Sequence, residues 1–266
     1  MIDIHTHLHP PRLFAAIRRW FAERSSWRLD SQPSQPAAVA EVLRRSGVER
    51  FVFCSYAHRP GLARGLNEWL AHTSRSLDGY GLPLATIHPD DPLYLEDLER
   101  ALVDGCVGLK LHEDVQRLHV EDPRLAPVYD ALEGRGFVLA HVGPIPWRPD
   151  ARGPARVEFV VQRHPRLSFV VAHMGGENAA AYMQLMERYE NLYLDTTMAL
   201  AADSPMKLTH DPQLIEKHAG RILYGTDFPN IPYPYDSEVR GIDALGLSAA
   251  ARNAILRGNA AELLGL

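Results

Sequence analysis

Short apolar, β-favouring runs alternate with longer segments of helical period along the whole chain. That rhythm constrains the fold more than any single motif. The strand candidates are Ile2–His7, Arg50–Ser55, Leu82–His88, Gly105–His112, Phe137–Val142, Ser168–His173, Asn191–Asp195 and Ile222–Thr226. Helical stretches are expected at Ala37–Ser46, Leu62–Leu77, Leu93–Val103, Pro127–Arg135, Ala155–Arg163, Ala179–Tyr189, Pro212–Ala219 and near Ser237–Ala244, with Ala249–Leu264 closing the chain. Strict alternation implies parallel strands joined by right-handed crossovers. Eight repeats fit an α/β fold of one domain, a closed (β/α)8 TIM barrel over residues 1–266. An open doubly wound sheet is the competing arrangement, but no glycine-rich phosphate loop follows the first strand. Two stretches, Leu8–Pro36 and Phe228–Tyr235, are expected as long loops over the C-terminal mouth of the barrel.

Composition excludes several classes of function. Net charge is −5, so no basic field invites nucleic acid or an anionic membrane. No run of about 18 apolar residues exists to span a bilayer. The two cysteines, Cys54 and Cys106, sit in apolar runs, which fits a reducing compartment rather than a disulfide framework. The chain opens on Met1-Ile2-Asp3 with no signal-peptide pattern, so a cytoplasmic location is expected.

The chemistry collects at strand ends. The first strand closes on Ile4-His5-Thr6-His7. Two residues apart on a strand, His5 and His7 share a face, roughly 7 Å apart along the chain. Among 13 histidines, one such pair means little by itself. The fifth run, however, ends in His141, the sixth in His173 and the eighth in Asp227. An isolated strand-end histidine is most often a packing imidazole; five polar groups in barrel order point to a shared divalent ion. Lys110, one of only three lysines, lies inside an apolar run and shares a face with His112. Lys110 either pairs with an acid inside the barrel or serves the site, as a carbamylated bridge or as a cation for an anionic substrate. His112 is a substrate contact or packing. Asp3 is expected to brace a histidine, and Asp195 to orient His173 or bond within the barrel. Trp20, Phe21 and Trp27 either cover the pocket or pack as an ordinary amphipathic segment; packing is the default. Arg59 and Arg148, on loops after the second and fifth strands, are either carboxylate clamps or, by default, ordinary surface arginines.

At these residues the chain resembles the amidohydrolase superfamily. It is most similar to the amidohydrolase-related branch, with its aminocarboxymuconate-semialdehyde decarboxylase-like enzymes and lactone hydrolases. The matching pieces are Ile2-Asp-Ile-His-Thr-His7, Gly108-Leu-Lys-Leu-His112, Ala140-His141, Val171-Ala-His-Met-Gly-Gly176, Asn191-Leu-Tyr-Leu-Asp195, Tyr224-Gly-Thr-Asp-Phe-Pro229 and Gly258-Asn-Ala-Ala-Glu-Leu-Leu-Gly265. The resemblance implies a distorted (β/α)8 barrel holding a divalent metal, zinc first and manganese as the alternative, as one ion or two. It assigns His5, His7, His141 and Asp227 as metal ligands. His173 is implied as acid/base, or as ligand to a second ion. Lys110 falls where binuclear members place a carbamylated lysine. The branch also implies a homodimer.

The expected function is hydrolysis of a small carboxylate-bearing ester, lactone or amide by metal-activated water. Asp227 is expected to move the proton, and His173 to polarise the carbonyl or hold the oxyanion. Non-oxidative decarboxylation of a small aromatic or muconate-type acid is the second reading, because the same ligands serve both. A catalytically silent ligand-binding or metal-binding barrel is the third.

Overall fold

A computed structural model describes residues 1–143, 150–209 and 211–266. Eight parallel strands run in chain order: β1 (Ile2–His7), β2 (Arg50–Cys54), β3 (Gly81–Pro83), β4 (Gly108–His112), β5 (Phe137–His141), β6 (Ser168–Val171), β7 (Leu192–Asp195) and β8 (Ile222–Leu223). They form a sheet β1-β2-β3 and a sheet β4-β5-β6-β7-β8. Two seams close these into a barrel. At one, the Ala85 amide donates to the Gly108 carbonyl at 2.8 Å and the Lys110 amide to the Ala85 carbonyl at 2.9 Å. At the other, the Ile4 amide donates to the Tyr224 carbonyl at 2.9 Å and the Asp227 amide to the His5 carbonyl at 2.8 Å. The (β/α)8 barrel expected from the strand rhythm is therefore the fold.

The alternation along the strands divides the core in two. Phe137 and Leu139 of β5 join Ile2, Ile4, Val170 and Leu223 in one buried cluster, closed by Ala260 and Ala261 of the last helix. Val138 and Ala140 point the other way, into the cluster shared with Leu43, Leu98 and Val160 of the surrounding helices.

Several elements depart from the sequence expectation. β3 is cut to three residues, although the Leu84 amide still donates to the Phe53 carbonyl at 2.9 Å and the Ala85 amide to the Gly108 carbonyl. The side chain of Asn67 takes over beyond it, bonding the Thr86 amide at 2.8 Å and the Thr86 carbonyl at 3.0 Å. β6 stops at Val171, before the expected His173, where the chain turns into left-handed conformations. β8 is two residues long, paired with β7 through Leu194–Ile222 and Asp195–Leu223, and beyond it the chain meets β1 through hydrogen bonds at Ile4, His5 and His7. The final helix is broken: a π-turn at Ala254–Gly258 separates Ala249–Asn253 from Asn259–Leu264, and the Ile255 carbonyl accepts the Tyr224 amide at 3.0 Å.

The largest departure is in the expected loop Leu8–Pro36. It contains a helix, α1 (Pro11–Arg24), with proline in its first turn. Proline there loses nothing, since the first amides of a helix have no partner in the helix. Only Phe14 of α1 is buried. Leu13 packs against Ala57, Ala63 and Leu66, while Trp20 and Phe21 lie over the barrel mouth.

Candidate active site

His5 is the hub of the C-terminal mouth. Its Nδ1 lies 2.8 Å from Asp195 Oδ2, and its Nε2 lies 2.9 Å from Lys110 Nζ and 3.2 Å from Asp227 Oδ1. A carboxylate only accepts, so Nδ1 carries the proton and the lone pair is at Nε2. His7 Nε2 approaches the same Asp227 oxygen at 3.0 Å. His173 Nδ1 donates to the Thr197 carbonyl at 3.2 Å, so the neutral ring presents its lone pair at Nε2. Donor atoms of His5, His173 and Asp227 all lie within 4.8 Å of one another, as do those of His5, His7 and Cys54.

The remaining sequence candidates divide. His141 is in neither donor group; it meets the site through its ring, stacked on His112 at 4.1 Å between centroids and edge-on to His173 at 4.7 Å. Lys110 is 1% exposed and faces His5 rather than an acid. Arg59 is exposed and is not among the residues lining the cavity. Arg148 lies outside the described residues. Asp195 does more than expected: besides holding the His5 ring, its Oδ1 accepts the backbone amides of His173 at 2.8 Å and Thr197 at 3.1 Å. Asp3 braces no imidazole. It accepts the His5 amide at 3.1 Å and the hydroxyls of Thr226 at 2.7 Å and Tyr235 at 3.0 Å, so it ties β1 to the segment that carries Asp227.

Backbone strain marks the same mouth. His173, Met174, Met198 and Asp227 have positive φ of 58°, 55°, 60° and 67°. Left-handed backbone costs a non-glycine residue ~1–3 kcal/mol, so it persists where the surroundings enforce it. Gly225 shows how tight those surroundings are. A Cβ there would lie 2.6 Å from Thr197 Oγ1 and 2.9 Å from the His5 Cβ.

Above the histidines lies a cavity of about 360 Å³. Trp20, Phe21, Trp27 and Tyr56 form much of its wall, with Met198 and Met206. The aromatic residues of α1 and the segment after it thus cover the pocket, contrary to the packing expected for them. Among the described residues Arg24, not Arg59, is the arginine that lines it. Asp227 is the single carboxylate in the lining among the described residues, against Lys110 and Arg24, so the pocket favours an anion. Sequence reasoning also missed Asn230 and Tyr56. Asn230 follows Asp227-Phe-Pro directly, which was the available signal. Its buried Oδ1 and the buried Nδ1 of His112 have no hydrogen-bond partner among the described residues. Such atoms at a cavity wall are where a substrate is met.

Burial sets the charges. It pushes His5 down to about 3, with Lys110 adding to the effect, and holds His112 and His141 well below the ordinary imidazole value. His173 is lowered for the same reason. These rings are neutral at pH 7, the form that ligates a metal. His7 is the exception. Burial opposes its protonation, but the Cys54 sulfur and Asp227 outweigh this and raise it to about 10. Asp227 is held ionised, well below the carboxylate range: its neighbours His7, His5 and His173 outweigh burial. Imidazole lone pairs converging on an ionised carboxylate fit a borderline divalent cation.

A family model described as Amidohydrolase matches residues 2–266. The chain belongs to the amidohydrolase family. It is a metal-dependent enzyme family, and this member keeps a His/Asp donor set at the mouth. No curated protein matches this amidohydrolase. Solved structures share its barrel. A 2,6-dihydroxybenzoate decarboxylase in complex with 2,6-dihydroxybenzoate is 19% identical, with TM-score 0.72, over 100% of this chain and 99% of that one. A 5-carboxyvanillate decarboxylase from Novosphingobium aromaticivorans, complexed with manganese and a substituted nitrobenzoic acid, is 16% identical, with TM-score 0.68, over 100% and 96%. A probable 2-pyrone-4,6-dicarboxylic acid hydrolase from Acinetobacter baumannii with citric acid bound is 12% identical, with TM-score 0.65, over 100% and 99%. No helix among the described residues is long and apolar enough to cross a membrane.

Proposed function

We propose that this amidohydrolase hydrolyses a small carboxylate-bearing ester, lactone or amide at the His5–His7–His173–Asp227 mouth. The observation that carries the reading is Asp227. It is a buried, ionised carboxylate within 3.2 Å of His5 Nε2 and 3.0 Å of His7 Nε2 at the floor of an open cavity. His5, His7, Asp227 and His173 would hold the divalent ion, zinc before manganese, with the ion taking the place of the Nε2 proton that His7 carries without it and His141 completing the set from the cavity wall. Bound there, the ion supplies a Lewis acid and brings the pKa of water from ~16 toward ~7. Asp227 takes a proton from the attacking water and returns it to the leaving group. Neutral His173 offers Nε2 as ligand or proton acceptor; holding an oxyanion requires its imidazolium form, because Nδ1 is committed to Thr197. Lys110 and Arg24 attract the substrate's carboxylate, and Asn230 and His112 meet its polar atoms.

Decarboxylation is the second reading, and the aromatic wall of Trp20, Phe21, Trp27 and Tyr56 favours it. A flat aromatic acid suits that surface, and two structures with this barrel are decarboxylases of such acids. Turnover in ¹⁸O-labelled water separates the two. Label in the product acid is expected for hydrolysis. Release of CO₂ with no label in the organic product overturns hydrolysis in favour of decarboxylation.

A further inference from the structure

Each imidazole at the centre of the site has its far nitrogen tied down, but not by the same chemistry. His5 Nδ1 meets the Asp195 carboxylate and His173 Nδ1 the Thr197 carbonyl. His7 Nδ1 meets sulfur: Cys54 Sγ lies 3.4 Å away. The same Sγ lies 3.4 Å from the Thr6 carbonyl oxygen. A carbonyl only accepts, so the thiol proton points at Thr6 and a sulfur lone pair faces His7. The barrel fixes this meeting. His7 and Cys54 are register partners in the β1–β2 ladder, at the last residue of each strand, and Cys54 is 0% exposed.

We propose that Cys54 is the positioning residue for His7. Its sulfur accepts the Nδ1 proton, fixing the ring's orientation and turning Nε2 toward Asp227 and the metal. The inference rests on His7 being a ligand. It goes beyond that reading in giving a buried thiol the role that a carboxylate plays behind His5. A sulfur acceptor is weak, so the His7 bond is the softer of the two β1 ligand bonds.

Zinc affinity of the full chain, read by competition with a chromophoric chelator, tests this. The Cys54→Ala variant is expected to bind zinc about 10–100-fold more weakly. Its cobalt-loaded form should show a shifted visible spectrum, with the thermal midpoint recording that the fold is kept. Cys54→Ser keeps both a donor and an acceptor, and is expected to stay within about threefold of the parent. An alanine variant that matches the parent in affinity and spectrum overturns the proposal. His7→Ala separates the two levels. If it too keeps zinc, the ligand reading fails; if it loses zinc while Cys54→Ala does not, only the positioning role fails. Should Cys54→Ala not fold, ¹⁵N-histidine spectra of the zinc-loaded parent decide. A His7 ring protonated at Nδ1 and bound through Nε2 is expected, and the reverse tautomer refutes it.

Discussion

Asp195→Asn tests how this site is held together. The native carboxylate makes three contacts with no exposure to solvent: the His5 Nδ1 proton at 2.8 Å, the His173 amide at 2.8 Å and the Thr197 amide at 3.1 Å. Asparagine has one accepting oxygen. Keeping that oxygen on the two backbone amides places the NH₂ group against His5 Nδ1. A donor there forces His5 into the other tautomer, with the proton on Nε2 and the lone pair withdrawn from the metal. The charge-assisted bond lost is worth ~1.5–3 kcal/mol. Loss of such a partner weakens metal binding about 10–100-fold, or ~1.4–2.7 kcal/mol. Both backbone amides stay satisfied, so the thermal midpoint should fall by only a few degrees. Asp195→Ala differs: it strands three buried donors at ~1–3 kcal/mol each and should fold poorly. Chelator competition on Asp195→Asn reads the effect. Affinity within twofold of the parent would refute the tautomer argument.

Three further outcomes are expected. Asp227→Asn should lower kcat by about 10²–10⁴-fold, with KM changed only a few-fold, in metal-replete protein; unchanged kcat would remove Asp227 from proton transfer. In Gly225→Ala, the new Cβ meets Thr197 Oγ1 at 2.6 Å and His5 Cβ at 2.9 Å. Overpacking of this kind costs ~1–3 kcal/mol and displaces His5, so melting temperature and zinc affinity should fall together. Asp3 carries a pH signature. Burial raises its carboxyl from the ordinary 3.8 to about 7. Its contribution to stability is complete below about pH 4 and is lost as pH rises through about 7. Asp3→Asn stays uncharged, so its melting temperature should gain on the parent's between pH 4 and 8 in metal-free protein; a constant difference would contradict the shift.

Much of the barrel was legible because its strands repeat one pattern: continuous apolar runs whose last residue is polar. His5, His7, His173 and Asp227 could be named before their positions were known, because strand ends in this fold share one rim. Three things were not legible. α1 was hidden by prolines on either side, though Leu13, Ile17, Trp20 and Phe21 carry helical spacing and Pro11 suits a first turn. The aromatic wall was therefore weighed as packing, and Arg24 was passed over for Arg59. That His141 lies beside His112, ring on ring, follows from the β4–β5 register, which the strand ends alone do not reveal. Asp195 was read as orienting His173 or bonding within the barrel, because alternation says which face a residue takes, not which neighbour its two oxygens reach. In the barrel it serves the His5 ring and the His173 backbone at once.

The most direct test is an anomalous difference map from crystals soaked in zinc, collected at the metal edge. A single strong peak is expected at ~2.0–2.2 Å from His5 Nε2, His7 Nε2 and an Asp227 oxygen. An ion bound elsewhere on the molecule, with these three side chains still bonded only to one another, would contradict the metal-centre account.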